Sequence, residues 1–324
     1  MILYHLLTHN NQQGKLEIQD TKEDNMKHAV SVSIGSSTRD KKIEIKLLDE
    51  SIIIERIGTD GDMLKAANIF KELDGKVDAF GVGGADLGIQ VDEKYYPLYS
   101  VLPMIKHIHK TPFVDGLGLK STLEHRTAQF LEHKLSDKIQ SRRVLFTAGS
   151  DRWGMSMGFI DLNYECVFGD LMFALDLPIP IKSASGLKRI ASLIMPIVGR
   201  MPFSILYPTG EKQNIIKPKH TKWYRWADIL AGDCHLIKRS MPDDLSQKIV
   251  VTNTTTKDDV NKFQNRGIRY LVTTTPILDG RSFGTNMMEA ALVAIANKNR
   301  KLNTKELNAL ISQIGFEPNI IKLN

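Results

Sequence analysis

Short, nearly unbroken apolar runs that empty into Gly, Asp, Asn or Thr recur along the chain: "AVSVSIG", "VDAFGVGG", "RVLFTAG", "ADILAGD", "KIVVTNT" and "RYLVTTTP". Runs of this kind describe strands buried on both faces, with polar residues at their carboxyl ends. Between them lie stretches with apolar residues at helical spacing, such as "MLKAANIFKELDG" and "KSTLEHRTAQFLEHKL". Strands separated by helices cannot pair as hairpins, so they cross over and lie parallel. The fold class is therefore α/β, with mainly parallel sheets covered by helices.

One core does not usually serve 324 residues, so two domains are expected. The charged stretch "HKLSDKIQSRR" is the natural boundary, after which the strand-helix alternation starts again. This gives an N-terminal α/β domain over 26–140 and a Rossmann-like domain over 141–324. A proline- and lysine-rich insertion at about 177–222 interrupts the second domain. The final helix "NMMEAALVAIANK" and the tail "TKELNALISQIGF" are expected to pack on the second sheet. Residues 1–25 read as an N-terminal extension without the basic leader and cleavage site of a secretory signal.

The net charge is +6 and the 43 basic residues are scattered. No zinc-finger or RNA-binding signature accompanies them, so a small anionic metabolite is the expected partner rather than nucleic acid. Cys166 and Cys234 lie far apart without metal spacing, which suits a reduced, cytoplasmic protein lacking structural zinc. The stretch "IASLIMPIVGRMPFSILYP" is cut by Arg200 and three prolines. It is too broken for a transmembrane segment, and a core or interface helix is favoured over one lying on a membrane surface. Association into a homo-oligomer stays open.

"VLFTAGSDRWGM", Val144–Met155, is a strand emptying into a glycine turn and a helix. Gly149 and Gly154 keep the outer spacing of G-x-G-x-x-G, but Asp151 stands where the middle glycine would admit a pyrophosphate. Its carboxylate opposes that charge unless Arg152 offsets it. Asp170 follows the next strand at the distance where an acid holds a cofactor ribose, or else caps the helix after it. Ser150 or Asp151 could instead cap the helix after the turn. Strand ends bearing Asn253, Thr254 and Thr274 are hydroxyl- and amide-rich enough to contact ribose, phosphate or nicotinamide. The expected cofactor is NAD or NADP, held by Gly149, Ser150, Asp151, Arg152, Gly154, Asp170, Asn253, Thr254 and Thr274.

In the front half, Ser36, Ser37 and Arg39 follow a strand and can form an anion nest. Asp115 and Lys120 in "VDGLGLKSTLEHR" sit at a strand exit and a helix start, where a lysine-carboxylate pair could share the proton of a hydroxyl being oxidised. His125 and His235 fall near the same cleft without triad or metal spacing. In "LDGRSFGTNMMEA", Arg281 could clamp a carboxylate, with Asn286 at the helix start beside it.

The ordered set "VSVSIGSSTRD", "ERIGTDGD", "DAFGVGGADL", "TPFVDGLGLKSTLEHR", "FGDLMFALDLPIP", "YPTGEK", "VVTNTTTKDDV" and "TTTPILDGRSFGTNMMEA" resembles bacterial quinate 5-dehydrogenases over nearly everything after Met26. The resemblance implies a cytosolic oxidoreductase that uses a nicotinamide cofactor to interconvert quinate and 3-dehydroquinate. The chain lacks the N-V-T-x-P-x-K segment that supplies the catalytic lysine of better understood relatives. Two other readings stand beside it: a non-redox enzyme of nucleotides or sugar phosphates, and a catalytically silent ligand-binding protein.

Overall fold

The computed structural model describes residues 26–207, 216–275, 277–278 and 281–324, the side chains of 277–278 and 281–282 excepted. The first sheet is built from β1 (Lys27–Ser33), β2 (Lys41–Leu47), β3 (Glu50–Gly58), β4 (Ala79–Gly83) and β7 (Phe113–Val114). Its order is β2-β3-β1-β4-β7, parallel throughout except for the edge strand β2. Strand alternation gives the sheet two apolar faces. Val30, Val32, Phe80 and Val82 meet Ala66 and Phe70 of α1 (Met63–Leu73), and Ala29, Ile52, Ile54 and Ala79 form the other face. A small hairpin, β5 (Gly88–Val91) and β6 (Lys94–Pro97), follows β4.

The long helix α2 (Leu117–Leu135) leads into the second sheet, whose first strands are β8 (Arg143–Phe146) and β9 (Glu165–Phe168), joined through α3 (Trp153–Asp161). The insertion then forms α4 (Ala184–Val198), α5 (Phe203–Leu206) and the start of α6 (Thr221–Trp226). Next come β10 (Ile229–Ala231), α7 (Cys234–Ser240), β11 (Ile249–Thr252), α8 (Lys257–Gln264) and β12 (Tyr270–Thr273). A two-stranded ribbon, β13 (Ile277–Leu278) and β14 (Arg281–Ser282), precedes α9 (Thr285–Ala296), α10 (Thr304–Ile314) and β15 (Asn319–Lys322). The sheet order is β15-β12-β11-β10-β8-β9, with only β15 antiparallel. This is the parallel Rossmann-like sheet expected of the back half.

One expectation is corrected by the packing. The C-terminal helices do not lie on the second sheet. Met287 to Ala294 of α9 and Leu307 and Ile311 of α10 join Ala29, Ile52 and Ile54 in the first core, and only β15 returns to the second. The insertion is helical, and its α4 packs Ala191 and Met195 on the α1-covered face of the first sheet and Leu187 in the core of the second. Its buried residues fall on one stripe four residues apart, so a single helix face fastens both halves together.

α2 and α3 touch at backbone distance because α3 carries glycines where they meet. A Cβ at Gly158 would lie 2.2 Å from His125 O, and one at Gly154 2.5 Å from Ser121 O. Backbone cannot yield as a side chain can, so the helices would have to separate. Gly158→Ala is expected to lower stability by about 1–3 kcal/mol. A urea midpoint unchanged from wild type would show that the helices part freely.

Candidate functional site

Each sheet reverses its strand order beside its first strand: β1 lies between β3 and β4, and β8 lies between β9 and β10. Ligands of open α/β sheets settle at the carboxyl ends flanking such a reversal. Here both reversals open into one cleft of about 340 Å³, within the range of small-molecule sites. Gly83 to Asp86 enter it after β4, Asp233 after β10, Asn253 and Thr254 after β11, and Thr275 after β12. Asp115, Lys120, Arg152, Tyr207 and the start of α9 complete the wall.

The centre of the cleft is a network of charges. Lys120 Nζ donates to Asp151 Oδ1 at 3.0 Å and lies 3.8 Å from Asp86 Oδ1. Arg152 donates to Glu124 Oε1 at 2.6 Å and to Asp233 Oδ2 at 3.3 Å, and its Nε is 3.1 Å from Asp151 Oδ2. Burial and Arg152 press the Lys120 ammonium toward neutrality, but the carboxylates of Asp151, Asp86 and Glu124 outweigh them and hold its pKa above the ordinary lysine value. Burial pushes Asp151 up, yet Lys120 and Arg152 bring it down to about 2. Asp86 goes the other way. Burial raises its pKa, with Asp151 and Asp115 adding to the effect against Lys120 and Arg152. A fixed cation thus stands beside a carboxyl whose pKa is raised by burial and by its acidic neighbours.

Asp115 positions the neighbours of this pair. Its two oxygens accept from Leu87 N at 2.9 Å and Leu117 N at 3.2 Å, tying the loop after β4 to the start of α2. Gly116 is required there, since its φ is +91° and a Cβ would lie 2.5 Å from Asn286 N. Tyr207 arrives from the end of α5. Its hydroxyl accepts from Asp86 N at 2.9 Å and lies 3.3 Å from Asp86 Oδ2.

Other expected site residues are arranged differently. Asp170 neither caps its own helix nor faces a free ribose position. Its carboxylate accepts from Gly149 N and Ser150 N, each at 2.9 Å, and from the Ser150 hydroxyl. Those N–H groups are the nearest unpaired donors, so the acid satisfies the turn that a phosphate would otherwise fill. A Cβ at Gly149 would lie 2.3 Å from Phe168, so this glycine serves strand packing and Gly154 serves the α2–α3 contact. Neither Ser150 nor Asp151 caps α3, which begins without a side-chain cap.

Asn253 and Thr254 do line the cleft, whereas Thr274 is buried with its N–H on Thr252 O. The adjacent Thr275 faces the cleft instead; it is 2% exposed and its Oγ1 has no partner among the described residues. Asn286 lines the cleft with its amide held by Ser31 Oγ at 2.6 Å. The nest of Ser36, Ser37 and Arg39 is closed by the protein itself, as Ser37 N donates to Asp60 Oδ1 at 2.7 Å, and it lies away from the cleft lining. The Arg281 side chain lies outside the described residues. His125 pairs with Asp161 on the surface at 3.1 Å, and His235 is exposed.

Sequence reasoning missed Asp86, Glu124 and Tyr207 as site residues, whereas Thr275 belongs to the hydroxyl-rich strand end "TTTP" from which Thr274 was singled out. Asp86 did carry a signal, because it closes the glycine-rich strand exit "FGVGGAD". Tyr207 carried none, as 121 residues separate it from Asp86. The described residues contain no group of three His, Cys, Asp or Glu that could hold a metal ion.

The family model described as "Domain of unknown function (DUF8754)" matches residues 118–323, and that described as "Domain of unknown function (DUF8753)" matches residues 28–115. No curated protein matches the chain. Among solved structures, the Entamoeba histolytica malic enzyme is similar at 13% identity and TM-score 0.41 over 87% of this chain. The chain spans only 61% of that enzyme's length. The NAD-dependent malic enzyme of Thermotoga maritima is similar at 13% identity and TM-score 0.38, over 88% of this chain and 75% of that one. A periplasmic solute-binding protein of Actinobacillus succinogenes with bound D-allose is similar at 9% identity and TM-score 0.36, over 91% and 97%. These likenesses extend to the α/β class and no further.

Proposed function

The chain belongs to the DUF8754 family, and from that premise we propose that its cleft binds a small hydroxylated metabolite and moves the proton of one of its hydroxyls. The observation that carries this reading is the Lys120–Asp86 pair at the meeting point of both strand reversals. Lys120, held charged, stabilises an oxyanion. Asp86, with its raised pKa, takes or returns the proton at a substrate hydroxyl. The unpartnered Thr275 hydroxyl and the side chains of Asn253 and Thr254 supply neutral contacts.

Five carboxylates, Asp86, Asp115, Asp151, Asp233 and Glu124, stand against Lys120 and Arg152 at this end. That balance favours hydroxyl groups over anionic ones beside these side chains. The start of α9, on Gly284 without a side-chain cap and beside Asn286 and Thr275, is where an anionic group of the ligand would find unpaired backbone donors.

The finer assignment is oxidation of a hydroxylated carbocyclic acid such as quinate by NAD or NADP, which when bound would accept the hydride. With Asp170 on Gly149 and Ser150, a pyrophosphate does not fit the glycine turn, and this assignment requires that carboxylate to leave. The closed turn favours a second reading, redox-silent binding or turnover of the same ligand class.

Thermal shift with quinate, NAD and NADP, singly and in pairs, separates the two. Ligand at a hundredfold above Kd adds about 2.7 kcal/mol. Reduced nicotinamide formed only with both partners present supports the oxidoreductase. Stabilisation by quinate alone supports the second reading. Lys120→Met and Asp86→Asn are each expected to cut turnover by roughly 10²–10⁴. Wild-type turnover in both variants would remove the pair from the chemistry.

A further inference from the structure

We propose that the α4–α5 segment is a docking surface for an anionic lipid membrane, on which the protein lies without crossing it. The described residues of 177–226 hold eight Lys or Arg and no Asp or Glu. Four of the eight, Lys182, Lys188, Arg189 and Arg200, lie on 177–207 with α4 and α5, where Lys188 pairs with Asp92. The same segment carries half of the large apolar side chains left in solvent among the described residues. Leu193 is 70% exposed, Ile197 65%, Ile205 62% and Ile179 52%, with Leu175 and Leu177 alongside.

The helix geometry shows why these side chains are not core residues on a poorly packed face. α4 buries Leu187, Ala191 and Met195 at four-residue spacing. Leu193 and Ile197, also four apart, project from the opposite side. Arg189, one turn before Leu193, and Arg200, just past the helix end, extend that outer stripe and are exposed. An exposed apolar stripe with guanidinium groups at both ends has the composition of an interfacial helix, and no described helix is long and apolar enough to span a bilayer.

Charge complementarity selects the occupant. A second copy docking through the same face would oppose like charges, and a nucleic acid would leave Leu193, Ile197 and Ile205 in water. Anionic headgroups answer the arginines while the acyl boundary takes the aliphatic side chains. The surface is connected to the cleft through the chain itself, since Tyr207 directly follows α5 and holds Asp86.

Sedimentation with vesicles tests the proposal, using pure phosphatidylcholine and a mixture with roughly one phosphatidylserine in three. The intact protein is expected to bind the mixed vesicles and to be released by high salt. Each basic residue near such a surface contributes about 1 kcal/mol, so Arg189→Glu should weaken binding on the order of tenfold or more. Leu193→Ser with Ile197→Ser should weaken it comparably while leaving the melting temperature unchanged, because both side chains are exposed.

Absence of binding to the mixed vesicles overturns the proposal. So does salt-sensitive binding to heparin or DNA that the Leu193 and Ile197 variant does not alter, which would assign the face to a polyanion. A lipid-free dimer abolished by that variant would also overturn it, by assigning the face to self-association.

Discussion

Replacing Arg152 with Met is expected to cost about 3–5 kcal/mol, the largest single effect of any substitution in the cleft. The guanidinium is 4% exposed, and its three edges face Glu124 on α2, Asp151 on the turn after β8 and Asp233 at the tip of β10. Its own desolvation is offset only by those three carboxylates, which hold its pKa above the ordinary arginine value. Methionine fills a similar volume but leaves Glu124, 1% exposed, without its hydrogen-bonded partner and with only the more distant Lys120 as a cation. An uncompensated buried charge is what makes breaking such a network costly, whereas neutralising both partners is not. Arg152→Met combined with Glu124→Gln should therefore recover a substantial part of the loss. Denaturant midpoints for the two single variants and the double variant decide the matter. Simple additivity of the single losses would show that the pair is not coupled.

That network also shows what the sequence could convey and what it could not. Parallel strands were legible because "RVLFTAG" and "KIVVTNT" are apolar without alternation, which only double-sided burial explains. The address of α9 was not legible. Met287 to Val293 are all buried, and a helix apolar on every side fits either sheet equally well. Lys120 and Asp115 could be singled out as a pair because six residues of one strand-helix junction contain both. Glu124 and Asp233 could not be joined to Arg152, since the first meeting depends on α2 and α3 crossing at Gly154 and Gly158 and the second on β10 pairing beside β8. Asp170 illustrates a spacing that held while its implied use did not. It stands at the expected distance from the glycine turn, yet the free N–H groups of that turn are closer than any ligand.

The pH dependence of stability is expected to carry the signature of one buried acid, Glu289. It lies on α9, 4% exposed, and accepts from Leu119 N at 3.0 Å at the start of α2. It also lines a second cavity of about 390 Å³ beside Asp115, Lys301 and Asn303. Burial raises its pKa from 4.5 to about 7, with Asp115 adding to the rise, while the N–H groups of Leu119 and Gly118 and the Lys301 ammonium partly counter it. A carboxyl whose folded pKa lies above its unfolded one binds more protons when folded. Its contribution is complete below about pH 4.5 and is lost as pH rises through 7, a decline of about 3 kcal/mol. Asp86, Glu124 and Asp170 are raised too, so wild-type stability falls for more than one reason, and the comparison must isolate this group. Glu289→Gln keeps an acceptor for Leu119 N–H and removes the titration. The variant should match wild type near pH 5 and exceed it at pH 8, so the two stability curves diverge between those limits. Parallel curves would mean that Glu289 is ionised throughout. The fastening of α9 to α2 would then rest on a buried charge rather than on a neutral carboxyl.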